Sequence, residues 1–169
     1  MIQKTITDIF AIVRFGTFSD YEKAVSNVDI NVRDENGSNL LGPAIAYDRG
    51  NISEDLINRG IDIDHRGEYE MTPLHLAIQW KRWDLVRELI DRSVLLNAQD
   101  VYGNTALWYA TSQPQRRYDI IHLLVKRGAN PTIKNKADRS ALDLANQIGD
   151  TELVQVLGGQ IANELESER

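Results

Sequence analysis

Residues 71–79 read MTPLHLAIQ. Threonine at the head of such a stretch caps a helix, and Pro73 suits the first helical position because its missing N–H would have had no partner there. Leu74 and Ala77 stand three residues apart, so both face the same side of that helix, with the alanine leaving room for a close neighbour. The stretch recurs as NTALWYATS at 104–112 and RSALDLANQ at 139–147, with a weaker copy, SNLLGPAIA, at 38–46. The leading polar residues Asn39, Thr72, Thr105 and Ser140 are spaced 33, 33 and 35 residues apart. A period of this length predicts an array of small units, none of which buries its apolar face alone.

A second apolar set follows each copy at a constant distance. Ile52, Leu85, Ile120 and Leu153 are followed four residues later by Leu56, Leu89, Leu124 and Leu157, the buried stripe of a second helix. Gly60, Ser93 and Gly128 then occupy the left-handed C-cap slot. The two extra residues in the last interval fall in TSQPQRRYD, around Pro114, where a loop absorbs them at little cost. Asp29-Ile30-Asn31 takes the place that Asp62-Ile63-Asp64 fills one period later, which implies a degenerate first unit with helices over 7–13 and 19–25. The last pair covers 140–148 and 151–157. Gly158-Gly159 then reads as a cap and hinge before an acidic tail helix ending ELESER. Five units result, at about 5–33, 34–66, 67–99, 100–134 and 135–160, within one domain spanning 1–169 whose tail is 161–169.

These residues resemble the ankyrin repeat family. Thr72-Pro73-Leu74-His75-Leu76-Ala77 is similar to its signature, Asp34-Glu35-Asn36-Gly37 and Asp100-Val101-Tyr102-Gly103 to its β-turns, and Arg127-Gly128-Ala129-Asn130-Pro131 to the loop closing its second helix. Three departures stand out: Leu40 and Gly42 in the proline and histidine slots of the second unit, Gly67 and Glu70 in the turn before Thr72, and Trp108 in a histidine slot. They bear on local loop geometry and not on the fold. The resemblance implies an all-α ankyrin-repeat solenoid of five helix pairs joined by β-turn loops, presenting a concave face.

Composition narrows the functional classes. The 169 residues hold 42% apolar and 26% charged side chains with net charge −6, so attraction of the whole chain to nucleic acid is disfavoured. Without cysteine there is no disulfide, zinc-thiolate site, iron-sulfur cluster or thiol nucleophile, as suits a reducing compartment. The N-terminal stretch carries Asp8 inside its apolar run and does not read as a signal peptide, and no run reaches the ~18 apolar residues of a membrane span. His65, His75 and His122 share no metal-ligand spacing, and His75 reads as a hydrogen bond within its own unit. The expectation is a cytoplasmic, non-catalytic protein with no cofactor, metal or small-molecule substrate, not bound to membrane.

Partner contact, as the resemblance implies, falls on the turns and the outer side of each first helix. The residues at those slots are Tyr47, Tyr69, Gln79, Trp80, Tyr102, Asn104, Gln113, Lys136 and Arg139. Tyr47 and Trp80 are equivalent in successive units, as are Tyr69 and Tyr102. Exposed aromatics of this kind form interface hot spots; the alternative is that they pack on one another. Trp83 and Trp108 read as core or half-core. Between Arg116 and Arg139 seven basic residues face two acidic ones, either as solvated helix faces or as a surface that orients a partner. The isolated acidic array is similar to bacterial immunity proteins that neutralise a cognate toxin; a general adaptor or regulatory scaffold is the alternative, and nucleic-acid binding through 116–139 is a weaker one.

Overall fold

The computed structural model describes residues 2–26 and 28–158, with side chains from residue 8 onward. In chain order the helices are α1 (Ile2–Phe15), α2 (Phe18–Val25), α3 (Leu41–Ala46), α4 (Gly50–Asn58), α5 (Pro73–Gln79), α6 (Trp83–Asp91), α7 (Ala106–Ser112), α8 (Tyr118–Lys126) and α9 (Ala141–Ile148), then a helical stretch over 151–158. These are the five expected pairs. Gly159 and the tail from 161 lie outside the described residues.

The chain divides into two compact units, between Leu85 and Val86 within α6. In the first, α1 packs on α2 and α3, α2 on α4, and α3 on both α4 and α5. Its core holds Ile9, Phe10, Val13, Leu41, Ala44, Ile52, Leu56, Leu74 and Ala77, all nearly inaccessible to solvent. In the second, α7 packs on α8 and α9 around Leu107, Ala110, Ile120, Leu124, Ala145, Leu153 and Leu157. Alanine recurs where these helices meet because neighbours there approach closely.

The caps follow the residue types. Thr105 and Ser140 accept from the backbone N–H of Trp108 and Asp143, and the Asp143 carboxylate returns the bond to Ser140 N–H at 2.7 Å. Thr72 N–H and its hydroxyl both meet His75 Nδ1, at 3.2 and 2.8 Å, so the ring carries its proton on Nε2 and acts within its own unit. Gly60, Ser93 and Gly128 take positive φ at the expected C-cap slots.

Two details differ from the sequence reading. The first helix runs from Ile2 to Phe15 and not over 7–13; at its C-terminal end nothing breaks it before Gly16, where a Cβ would lie 2.8 Å from the Ile12 carbonyl. In α6, Val86 is fully buried and Leu85 only half-buried while Leu89 stays buried, so the stripe there departs from the periodic assignment at its first position alone.

Candidate functional site

In the first unit, each first helix ends on a residue whose side chain leaves the core. Tyr47 caps α3 and Trp80 caps α5, each through its N–H to the carbonyl four residues back, and each is followed by a non-glycine at positive φ, Asp48 or Lys81. That reversal turns the chain toward the second helix and leaves the capping ring outside, 48% exposed for Tyr47 and 47% for Trp80. Phe15, the last residue of α1, is 72% exposed, with its ring edge-on to Tyr47 at 5.1 Å. The sequence reading missed Phe15; its signal was its place 32 residues before Tyr47, directly ahead of Gly16.

Tyr69 comes to the same place from a turn. In the regular turns the leading side chain holds the backbone: Asp34 Oδ1 accepts from Asn36 and Ser38, and Asp100 Oδ1 from Tyr102 and Asn104. Gly67 has no such oxygen. A Cβ there would sit 2.8 Å from Ser38 Oγ and 3.3 Å from Ser38 Cα, and that hydroxyl accepts Glu68 N–H instead. The turn closes with both Tyr69 (φ 55°) and Glu70 (φ 59°) in the left-handed region, a cost of about 1 kcal/mol or more for each non-glycine residue.

Tyr47, Tyr69, Gln79 and Trp80 together line a groove of about 330 Å³ in the first unit, floored by Gly42, Pro43 and Leu76 and edged by Arg14, Asp34 and Glu68. Arg14 reaches Asp34 at 3.5 Å and lies over the Phe10 ring. Residues 1–85 carry 14 acidic against 9 basic side chains, net −5.

In the second unit, Tyr102 is 58% exposed and its carbonyl accepts Lys136 N–H at 2.9 Å, while Asn104 accepts from Asn135 Nδ2 at 2.9 Å. Gln113, half-buried, caps α7. Arg139 is exposed and lies over Trp108, 5.7 Å from its centroid, which leaves that tryptophan half-buried. Most of the 116–139 cations have acidic neighbours. Arg117 donates to Asp119 through Nε and Nη2, Arg127 takes Asp91 at 2.7 Å, Lys134 takes Asp143, and Arg116 lies 3.9 Å from Asp150. The Lys134 ammonium first, and the Ser140 cap second, hold Asp143 down to a pKa of about 2.

Arginines between paired helices form a motif that sequence reading did not find. Arg49 donates to the Arg14 and Gly16 carbonyls, and Arg82 to the Ile45 carbonyl while pairing with Asp48 at 3.1 Å. Each thereby closes the end of the preceding unit's first helix. A lone arginine in a polar loop gives no sign of this in a sequence.

His65 Nε2 donates to the Gly37 carbonyl at 2.6 Å, joining two successive turns, so this histidine too is structural. No helix of the described residues is long and apolar enough to cross a membrane.

The family model for ankyrin repeats (3 copies) matches residues 10–100 and again 56–135, most of the chain. With the turn, cap and helix-pair geometry above, the match is sufficient: the chain belongs to the ankyrin repeat family.

Proposed function

We propose that this chain binds a protein partner, without catalysis, through the Tyr47, Tyr69, Gln79 and Trp80 groove of its first unit. Tyr102, Asn104, Gln113, Lys136 and Arg139 of the second unit offer further contacts. Ankyrin repeats are generally protein–protein interaction modules, and the observation that carries the reading here is the set of large rings held in solvent by cap and turn geometry. Rings of this kind give much contact area for little side-chain entropy. Neutralisation of a cognate toxin in the cytoplasm is the use we favour, since an acidic surface speeds capture of a basic protein. A general adaptor is the rival, and affinity separates the two: a neutralising inhibitor binds at about nanomolar or tighter.

The test uses the chain as bait in its native cell, then titration of the purified partner. Trp80→Ala should cost about 2 kcal/mol of affinity and leave the melting temperature nearly unchanged. A destabilised variant with undiminished affinity per folded molecule would defeat the reading.

A further inference from the structure

The groove is more specific than an apolar patch. Its rings come from three separate elements, the C-caps of α3 and α5 and the turn at 67–70, and two carboxylates stand beside them. Asp34 spends one oxygen on its own turn and meets Arg14 only at 3.5 Å with the other. Glu68 has no cation within ion-pair distance among the described residues; the nearby Arg66 pairs with Glu70 at 2.8 Å. Arg14, the one cation of the lining, is already shared between Asp34 and the Phe10 ring.

The repeat pattern is broken around the groove. Gly42 stands where α5 carries His75, and a Cβ there would already touch Ser38 at 3.6 Å and Leu76 at 3.8 Å. Gly67 stands where the turns at 34–37 and 100–103 carry a carboxylate, and the altered turn presents Tyr69 and Glu68 to the cavity. Local departures from an otherwise consistent pattern are expected at functional or strained sites.

The geometry points to an arginine side chain of the protein partner as the occupant of this groove. A guanidinium is planar, stacks on tryptophan and tyrosine faces, and offers a fork of donors to a carboxylate such as Glu68. The net charge of −5 on residues 1–85 favours the same sign of ligand. The inference rests on the protein-binding reading of this face.

The probe is a blocked pentapeptide, Gly-Gly-Arg-Gly-Gly, against its citrulline counterpart, which keeps the shape and loses the charge. Both are titrated into the full chain while the Trp80 indole N–H resonance is followed, identified with Trp80→Phe. The arginine peptide should give a saturable shift at millimolar concentration and bind about tenfold or more tighter than the citrulline peptide. Glu68→Gln, at an exposed position, should weaken the arginine peptide about three- to tenfold and flatten its salt dependence with an unchanged melting temperature. Equal binding of the two peptides, no shift by about 10 mM, or an unaffected Glu68→Gln would each overturn the inference. If partner affinity depends on Trp80 while the two peptides bind alike, the arginine assignment falls and the binding face stands. If the arginine peptide binds but Trp80→Ala leaves partner affinity intact, the binding face falls and the chemistry of the groove stands.

Discussion

The turns at 67–70 and 100–103 occupy the same slot in successive repeats and are held by different means. Asp100 is 5% exposed and supplies everything its turn needs: one carboxylate oxygen takes two backbone N–H groups at 2.8 Å, and the other accepts the Tyr109 hydroxyl at 2.6 Å. Gly67 supplies nothing, so its turn takes an acceptor from Ser38, 29 residues earlier in the chain, and bends through two left-handed non-glycine residues. A turn that carries its own acceptor is fixed from within, whereas one that depends on a neighbour aims its side chains relative to that neighbour. Tyr69 and Glu68 are therefore placed by the preceding repeat, which is also where the other side of the groove is built.

The comparison breaks most sharply at Gly103. It holds φ 78°, and a Cβ would stand 2.9 Å from Lys136 N and 3.1 Å from Asn135 Cα, both backbone atoms. Gly103→Ala should cost about 3 kcal/mol in urea denaturation, strain and overpacking together; a cost below about 1 kcal/mol would show the turn is not fixed as described. Asp100→Ala removes a buried acceptor of three hydrogen bonds and should cost about 2 kcal/mol by the same measurement. A similar loss from Ser38→Ala would erase the distinction between the two turns, since the single 3.3 Å bond to Glu68 is expected to contribute well under half as much.

Glu70→Gly runs the other way. Glycine stands at this slot as Gly37 and Gly103, and restoring it should stabilise the chain by about 1 kcal/mol, because the Arg66 pair it removes is exposed and contributes little. An unchanged midpoint would mean that the turn at 67–70 is unstrained.

The smallest effect is on pH dependence. Burial first, and the Asp100 hydrogen bond second, push the Tyr109 hydroxyl from 10.0 up to about 12. A folded-state pKa above the unfolded value means that stability is fully present below pH 10 and is lost as pH rises toward 12. Solvent reaches part of the ring, so the slope is modest. Tyr109→Phe should flatten it in denaturation curves measured across that window, and an unaltered slope would remove Asp100 and Tyr109 as its source.

Periodicity made legible whatever repeats. Thr105 and Ser140 cap as their types suggest, the stripe from Ile52 to Leu157 is buried apart from the shift at Val86, and Tyr47, Tyr69, Trp80 and Tyr102 are exposed as their slots imply. What stayed hidden occurs once, or is made by two residues far apart in sequence. The 116–139 segment reads as a basic run, yet Asp91, Asp143 and Asp150, which face its side chains, lie outside it. The groove gathers Gly42 and Ser38 with the turn that follows Gly67, and each alone is only a small residue in a turn or helix. The C-terminal end of α1 was missed because it depends on one close approach at Gly16.

The arginines between paired helices have a consequence for how the chain is made. The carbonyls ending α1 wait for Arg49, 33 to 35 residues later, and the Ile45 carbonyl waits for Arg82, 37 residues later. At about 5–20 residues per second, a nascent repeat on the ribosome spends several seconds with its helix end unfinished before the completing side chain emerges. The first two repeats are thus each completed by their successor, which gives this end of the array an order of assembly from the N-terminus onward and leaves a chain stalled between them with an unfinished helix end.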